Sequence, residues 1–115
     1  MQQSDSPAIG PSLEALAATI AQRANANPAE SYTARLLQGP EDKLLKKIGE
    51  EACEVVMAAK DGSREHVLYE SADLVYHLLV VFQRYGVTLD QLSAELETRR
   101  EHSNGERTDK GESFR

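Results

Sequence analysis

The chain has 115 residues, 40% of them hydrophobic, which is enough for a single domain with a modest core. A formal charge of -6 and a pI near 5.0 leave no basic stripe with interleaved aromatics. That argues against a nucleic-acid surface and means that an anionic ligand needs a local lysine patch or a metal ion. The longest apolar run, 78–82, is far short of the ~20 residues that span a bilayer, and 1–11 lack a signal-peptide layout, so no membrane is expected and the expected setting is the cytoplasm.

Residues 1–11 hold two prolines and a glycine without apolar periodicity, and 103–115 are polar with two glycines, so both ends are expected to be loose around a domain at 12–102. Ser12 reads as the cap of a first helix through Ala24, with Leu13, Leu16, Ala17 and Ile20 at helical spacing. Ser31 then precedes a short segment from Tyr32 to Leu37 that Gly39 and Pro40 close. The first long helix is expected from Pro40 or Glu41 to about Lys60, stopped by Gly62. Its apolar residues, Leu44, Leu45, Ile48, Ala52, Val55, Val56 and Ala59, share one face. Cys53 is the only cysteine, which rules out an internal disulfide and a Cys-rich zinc site; it reads as a small, buried apolar residue.

The second long helix is bounded by Ser63 and Gly86, which makes a helical hairpin with the first. Its second half, including Leu78, Leu79, Val80, Val81 and Phe82, is apolar nearly all round. Such a helix must be covered on most sides, more than one small chain can manage, so a homodimer is expected. Thr88 and Gln91 have capping-box spacing for a last helix that loses its pattern near Arg99. With no strand-like alternation, the expected fold is an all-α bundle of four to five helices around a central antiparallel hairpin, completed by dimerisation.

Acidic residues on the hairpin carry the chemistry. On a helical wheel with Ile48 at zero, Glu51 lies about 60° and Glu54 about 120° to one side, while Glu50 falls near 200°, a weaker position for an inward ligand. Glu70 and Asp73 repeat the three-residue spacing beside the apolar stretch. Carboxylates beside a core are costly unless paired or bound to a cation, and an all-oxygen set suits a hard ion such as Mg2+. On spacing alone, acids of this kind are more often a solvated face.

The segment Glu50-Glu51-Ala52-Cys53-Glu54 and, after fifteen intervening residues, Glu70-Ser71-Ala72-Asp73 resemble the E-E-x-x-E and E-x-x-D signature of the MazG-like all-alpha nucleoside triphosphate pyrophosphohydrolases. Within that superfamily the chain is similar to the phosphoribosyl-ATP pyrophosphatase family, of the second step of histidine biosynthesis. The residues that carry this are Ser31-Tyr32-Thr33, Leu36-Leu37, Lys43, Lys46-Lys47-Ile48-Gly49-Glu50-Glu51, Glu54, Glu70-Ser71-Ala72-Asp73-Leu74 and Tyr76-His77-Leu78-Leu79. The similarity covers about 12–100 and fades from Glu101 onward. It implies hydrolysis of phosphoribosyl-ATP to phosphoribosyl-AMP and pyrophosphate in a dimer, with Mg2+ held by Glu51, Glu54, Glu70 and Asp73. A house-cleaning pyrophosphohydrolase acting on ordinary or damaged nucleoside triphosphates would use the same two motifs and is the alternative.

Such a reaction needs positive charge for the phosphate oxygens. Lys47, one turn before Glu51 and on its flank, is the preferred contact, with an ion pair to Glu51 as the competing role. Lys43, Lys46 and Arg35 are further candidates, and Tyr32 could stack on a base or sugar, although packing beside Leu36 is the commoner use. Glu50 reads as a base or as support for the ligands. His77, one turn after Asp73, reads as a buried histidine with one satisfied nitrogen.

Overall fold

Local punctuation sets the helix ends. In the computed structural model, which describes residues 8–102, the Ser31 hydroxyl accepts from the Ala34 N–H and opens α2 (Tyr32–Gln38), after α1 (Ile9–Gln22). Helix α3 (Glu41–Lys60) follows Pro40. The Ser63 hydroxyl accepts from the His66 N–H at the start of α4 (Arg64–Tyr85). Thr88 and Gln91 exchange reciprocal side-chain to backbone hydrogen bonds of 3.0 and 2.9 Å at the start of α5 (Leu89–His102). Gly86 ends α4 at φ 74°, a left-handed conformation that a side chain would strain. Gly39 is needed for a different reason: a Cβ there would sit 2.7 Å from the Arg35 carbonyl oxygen.

The architecture is all-helical, with five helices and no strand among the described residues. The α3–α4 hairpin is the centre of the bundle; α1 packs on α4, and α2 lies across both hairpin helices. Ile20, Leu36, Leu44, Leu79 and Val80 form the buried core, joined by Leu13, Leu16, Leu37, Tyr76, Val81, Phe82 and Leu89. Helix α5 buries no residue fully. Among the described residues, no helix is long and apolar enough to cross a membrane.

Three expectations need correction. Helix α1 begins at Ile9, before Ser12, because Pro11 lies in the first turn, where its missing N–H has no carbonyl to reach; it ends at Gln22, before Ala24. Cys53 is exposed. Helix α3 is also rotated relative to its apolar stripe. The residues it buries are Leu44, Glu51 and Ala58, seven apart, so the buried line runs along the Glu51 side, while Leu45 and Val56 at the other edge are exposed. Of the ends expected to be loose, 1–7 and 103–115 lie outside the described residues, while Ile9, Gly10 and Pro11 belong to α1.

Candidate active site

The hairpin brings Glu51 of α3 against the α4 stripe formed by Glu70, Asp73 and His77, residues three, four and seven apart that share one helix face. Glu51 is only 4% exposed. One of its oxygens, Oε2, lies 3.1 Å from Lys47 Nζ; the other, Oε1, is buried and has no hydrogen-bond partner. Around this carboxylate are two overlapping groups: ligand atoms of Glu51, Glu54 and Glu70 lie within 4.8 Å of one another, and so do those of Glu51, Asp73 and His77. Glu51 belongs to both. Burial, a hydrogen bond with Glu54 and the negative charges of Glu54, Glu51 and Asp73 hold the Glu70 carboxyl above its ordinary range.

Glu50 stands apart, as its wheel position predicted. It faces Lys47 at 3.7 Å and Lys46 at 3.8 Å on the outer side of the helix and enters neither acidic group. The hydrogen bond to Glu51 raises the Lys47 ammonium above its usual value, so Lys47 stays charged. Lys43 and Lys46 are exposed on the same helix. Arg35 donates to the Pro28 carbonyl oxygen at 2.8 Å, and its guanidinium carbon lies 5.7 Å above the Tyr32 ring, so it ties α2 to the preceding loop.

Sequence reasoning did not foresee an aromatic wall beside the acids. Tyr32 stacks on Tyr76 with ring centroids 6.3 Å apart, and His77 meets both rings edge-on. The Tyr32 hydroxyl lies 3.0 Å from His77 Nε2, and the Tyr76 hydroxyl pairs with Thr33 Oγ1. Burial pushes the Tyr32 phenol up despite the opposing charge of Lys47, so it remains a hydroxyl. The only trace of this wall in the sequence is that Ser31-Tyr32-Thr33 and Tyr76-His77 both belong to the resemblance; the contact spans 45 residues and no local pattern encodes it.

Comparison with known proteins gives the arrangement its context. A family model described as phosphoribosyl-ATP pyrophosphohydrolase matches residues 13–100, ending where the resemblance fades. The phosphoribosyl-ATP pyrophosphatase of Dechloromonas aromatica (strain RCB) is 46% identical over 87 residues, 76% of this chain and 81% of that protein. The one from Erythrobacter litoralis (strain HTCC2594) is 53% identical over 87 residues, with 76% and 84% covered. That of Methylibium petroleiphilum (strain ATCC BAA-1232 / LMG 22953 / PM1) is 50% identical over 93 residues, with 81% and 77% covered. With its two acidic motifs converging on one buried glutamate, the chain belongs to the phosphoribosyl-ATP pyrophosphohydrolase family.

Proposed function

We propose that this chain hydrolyses phosphoribosyl-ATP to phosphoribosyl-AMP and pyrophosphate, the second step of histidine biosynthesis, with Mg2+ as cofactor. Family membership supports the substrate and the reaction. The observation that carries the cofactor is Glu51 Oε1, a buried carboxylate oxygen with no partner and other carboxylates on two sides. An unsatisfied charged oxygen in that setting is strongly unfavourable, and a cation held by Glu51, Glu54, Glu70 and Asp73 relieves it. The donor set fits Mg2+, since these four acids offer only hard carboxylate oxygens.

A divalent ion in such a site neutralises polyphosphate charge and favours deprotonation of water. The protein does the rest. Lys47, with Lys43 and Lys46 on the same helix, binds phosphate oxygens, and Glu50 holds the Lys46 and Lys47 ammonium groups near the site. Arg35 steadies Tyr32, which borders the site on the side of α2. A glutamate of the cluster takes the proton of the attacking water, and the anhydride bond breaks to release pyrophosphate.

The same reading has the enzyme working as a homodimer in the cytoplasm. In support, Leu45 and Val56 at the exposed edge of α3, and Leu68, Val75 and Leu78 on α4, leave apolar surface uncovered; Leu68 is 72% exposed.

Pyrophosphate release with phosphoribosyl-ATP, dUTP, dCTP and ATP at one Mg2+ concentration tests this reading. Phosphoribosyl-ATP is expected to give the highest kcat/KM. Preferred turnover of dUTP, dCTP or ATP would replace it with the house-cleaning activity.

A further inference from the structure

His77 is 2% exposed and has both ring nitrogens occupied. Its Nδ1 lies 2.8 Å from the main-chain carbonyl oxygen of Asp73 and 3.3 Å from Asp73 Oδ1, while its Nε2 lies 3.0 Å from the Tyr32 hydroxyl. Both neighbours of Nδ1 are acceptors, so the ring hydrogen sits on Nδ1. In the neutral imidazole Nε2 then carries only a lone pair, and the Tyr32 hydroxyl donates to it.

Two consequences follow from where these hydrogens are. Although His77 is within reach of Glu51 and Asp73, it has no free lone pair for a metal: Nδ1 bears the hydrogen and Nε2 accepts from Tyr32. Tyr32, with its one hydrogen directed at His77, presents an oxygen that can only accept. A phosphate oxygen, itself an acceptor, gains nothing there; an O–H or N–H donor does.

We infer that His77 is a positioning residue that links the two halves of the site, its Nδ1–H donating to the Asp73 main-chain carbonyl and so fixing the helical turn that carries the Asp73 carboxylate 3.3 Å away, and its Nε2 fixing Tyr32 as an acceptor for a sugar hydroxyl of the substrate. The inference rests on the proposed role of Asp73 in holding the cation. The surroundings restrain the imidazole: Tyr76 meets it edge-on at 4.9 Å between centroids, and Tyr76 is itself bonded to Thr33. Histidine side chains that orient metal-binding carboxylates through one nitrogen are sensitive to replacement in metal affinity, and the second nitrogen here adds a substrate effect.

The tautomer is read directly by long-range 1H–15N correlation spectra of the full chain near neutral pH. Protonated Nδ1 and unprotonated Nε2 are expected; hydrogen on Nε2, alone or with Nδ1, would overturn the inference. Two variants separate the arms, since the Asn amide nitrogen takes the place of Nδ1 and the Gln terminus reaches that of Nε2. His77→Asn should keep the Mg2+ activation midpoint and raise KM roughly 3- to 10-fold, the loss of one neutral hydrogen bond, with no further change when Tyr32→Phe is added. His77→Gln should instead shift the Mg2+ midpoint about 10-fold upward with KM little moved. A purely structural His77 would lower the melting temperature in both variants and move neither constant in the folded fraction. If wild type releases no pyrophosphate from any nucleotide, the proposed function fails while the tautomer result stands; an active enzyme with the opposite tautomer defeats the inference alone.

Discussion

Lys47 and Glu51, one helical turn apart, form an ion pair that is closed on one side and open on the other: Nζ meets Oε2 at 3.1 Å while Oε1 has no partner. One lysine therefore offsets the charge of Glu51 without completing its coordination. Because Lys47 is about one-third exposed at its side chain, the pair is worth less than a fully buried one. Lys47→Met is expected to destabilise the chain by about 1–2 kcal/mol in chelator and by less in Mg2+. Urea unfolding under both conditions checks this, and equal losses in the two would count against a cation beside Glu51.

Glu70 makes the stability of the metal-depleted chain depend on pH in an unusual sense. Its carboxyl is raised above the ordinary 4.5 by burial first, then by the hydrogen bond with Glu54 and the neighbouring negative charges. A folded chain that holds this proton more tightly than the unfolded chain gains stability that is full below pH 4.5 and lost as pH rises through the raised value. In chelator, wild type should lose stability relative to Glu70→Gln between pH 4.5 and neutrality, and Mg2+ should flatten the difference. Paired urea titrations at several pH values measure it; a wild type that gains on Glu70→Gln over that range would be the opposite sign.

Leu44 is fully buried and lies two turns before Glu51 on the same line of α3. Leu44→Ala should cost about 2–5 kcal/mol through the cavity it leaves. Because the same packing seats Glu51, the Mg2+ midpoint should rise as well. The conservative Leu44→Met should move both quantities much less. Chemical denaturation and Mg2+ activation curves on the two variants make the comparison.

Val56, 59% exposed on the edge of α3 that the rotation leaves uncovered, is a direct probe of assembly. Light scattering at micromolar concentration should give wild type twice the 12.7 kDa chain mass and Val56→Lys a single chain mass. A monomeric wild type would rule out the proposed dimer.

What the sequence disclosed was chiefly local. Ser31, Ser63, Thr88 with Gln91, Gly62 and Gly86 each act within one turn of themselves, and all mark helix ends where the residue types place them. Ser12 misled as a cap because α1 already runs through Pro11, a residue that breaks a helix interior but is tolerated in a first turn. The rotation of α3 was hidden because apolar periodicity counts Leu45 and Val56 as core and puts Glu51 only on the flank of the stripe, whereas the fold buries Glu51 and leaves those two out. Cys53 went the same way, its small apolar character saying nothing about which side it would take. The separation of Glu50 from Glu51 was legible, since a wheel needs only helix geometry. The bond from Tyr32 to His77 was not, because it depends on how α2 crosses the hairpin.

In the proposed function Glu51 anchors a catalytic cation. Pyrophosphate release from phosphoribosyl-ATP, followed across a Mg2+ titration for wild type and Glu51→Gln, tests it most directly, with unfolding curves to show that both are folded. Glu51→Gln removes a buried charge from a crowd of acids, so in chelator it should be at least as stable as wild type. The wild-type rate is expected to vanish without Mg2+ and the Glu51→Gln rate to be at least ~100-fold lower at saturating Mg2+, the scale on which losing an electrostatic anchor acts. A folded Glu51→Gln enzyme with wild-type turnover and an unchanged Mg2+ midpoint would contradict it.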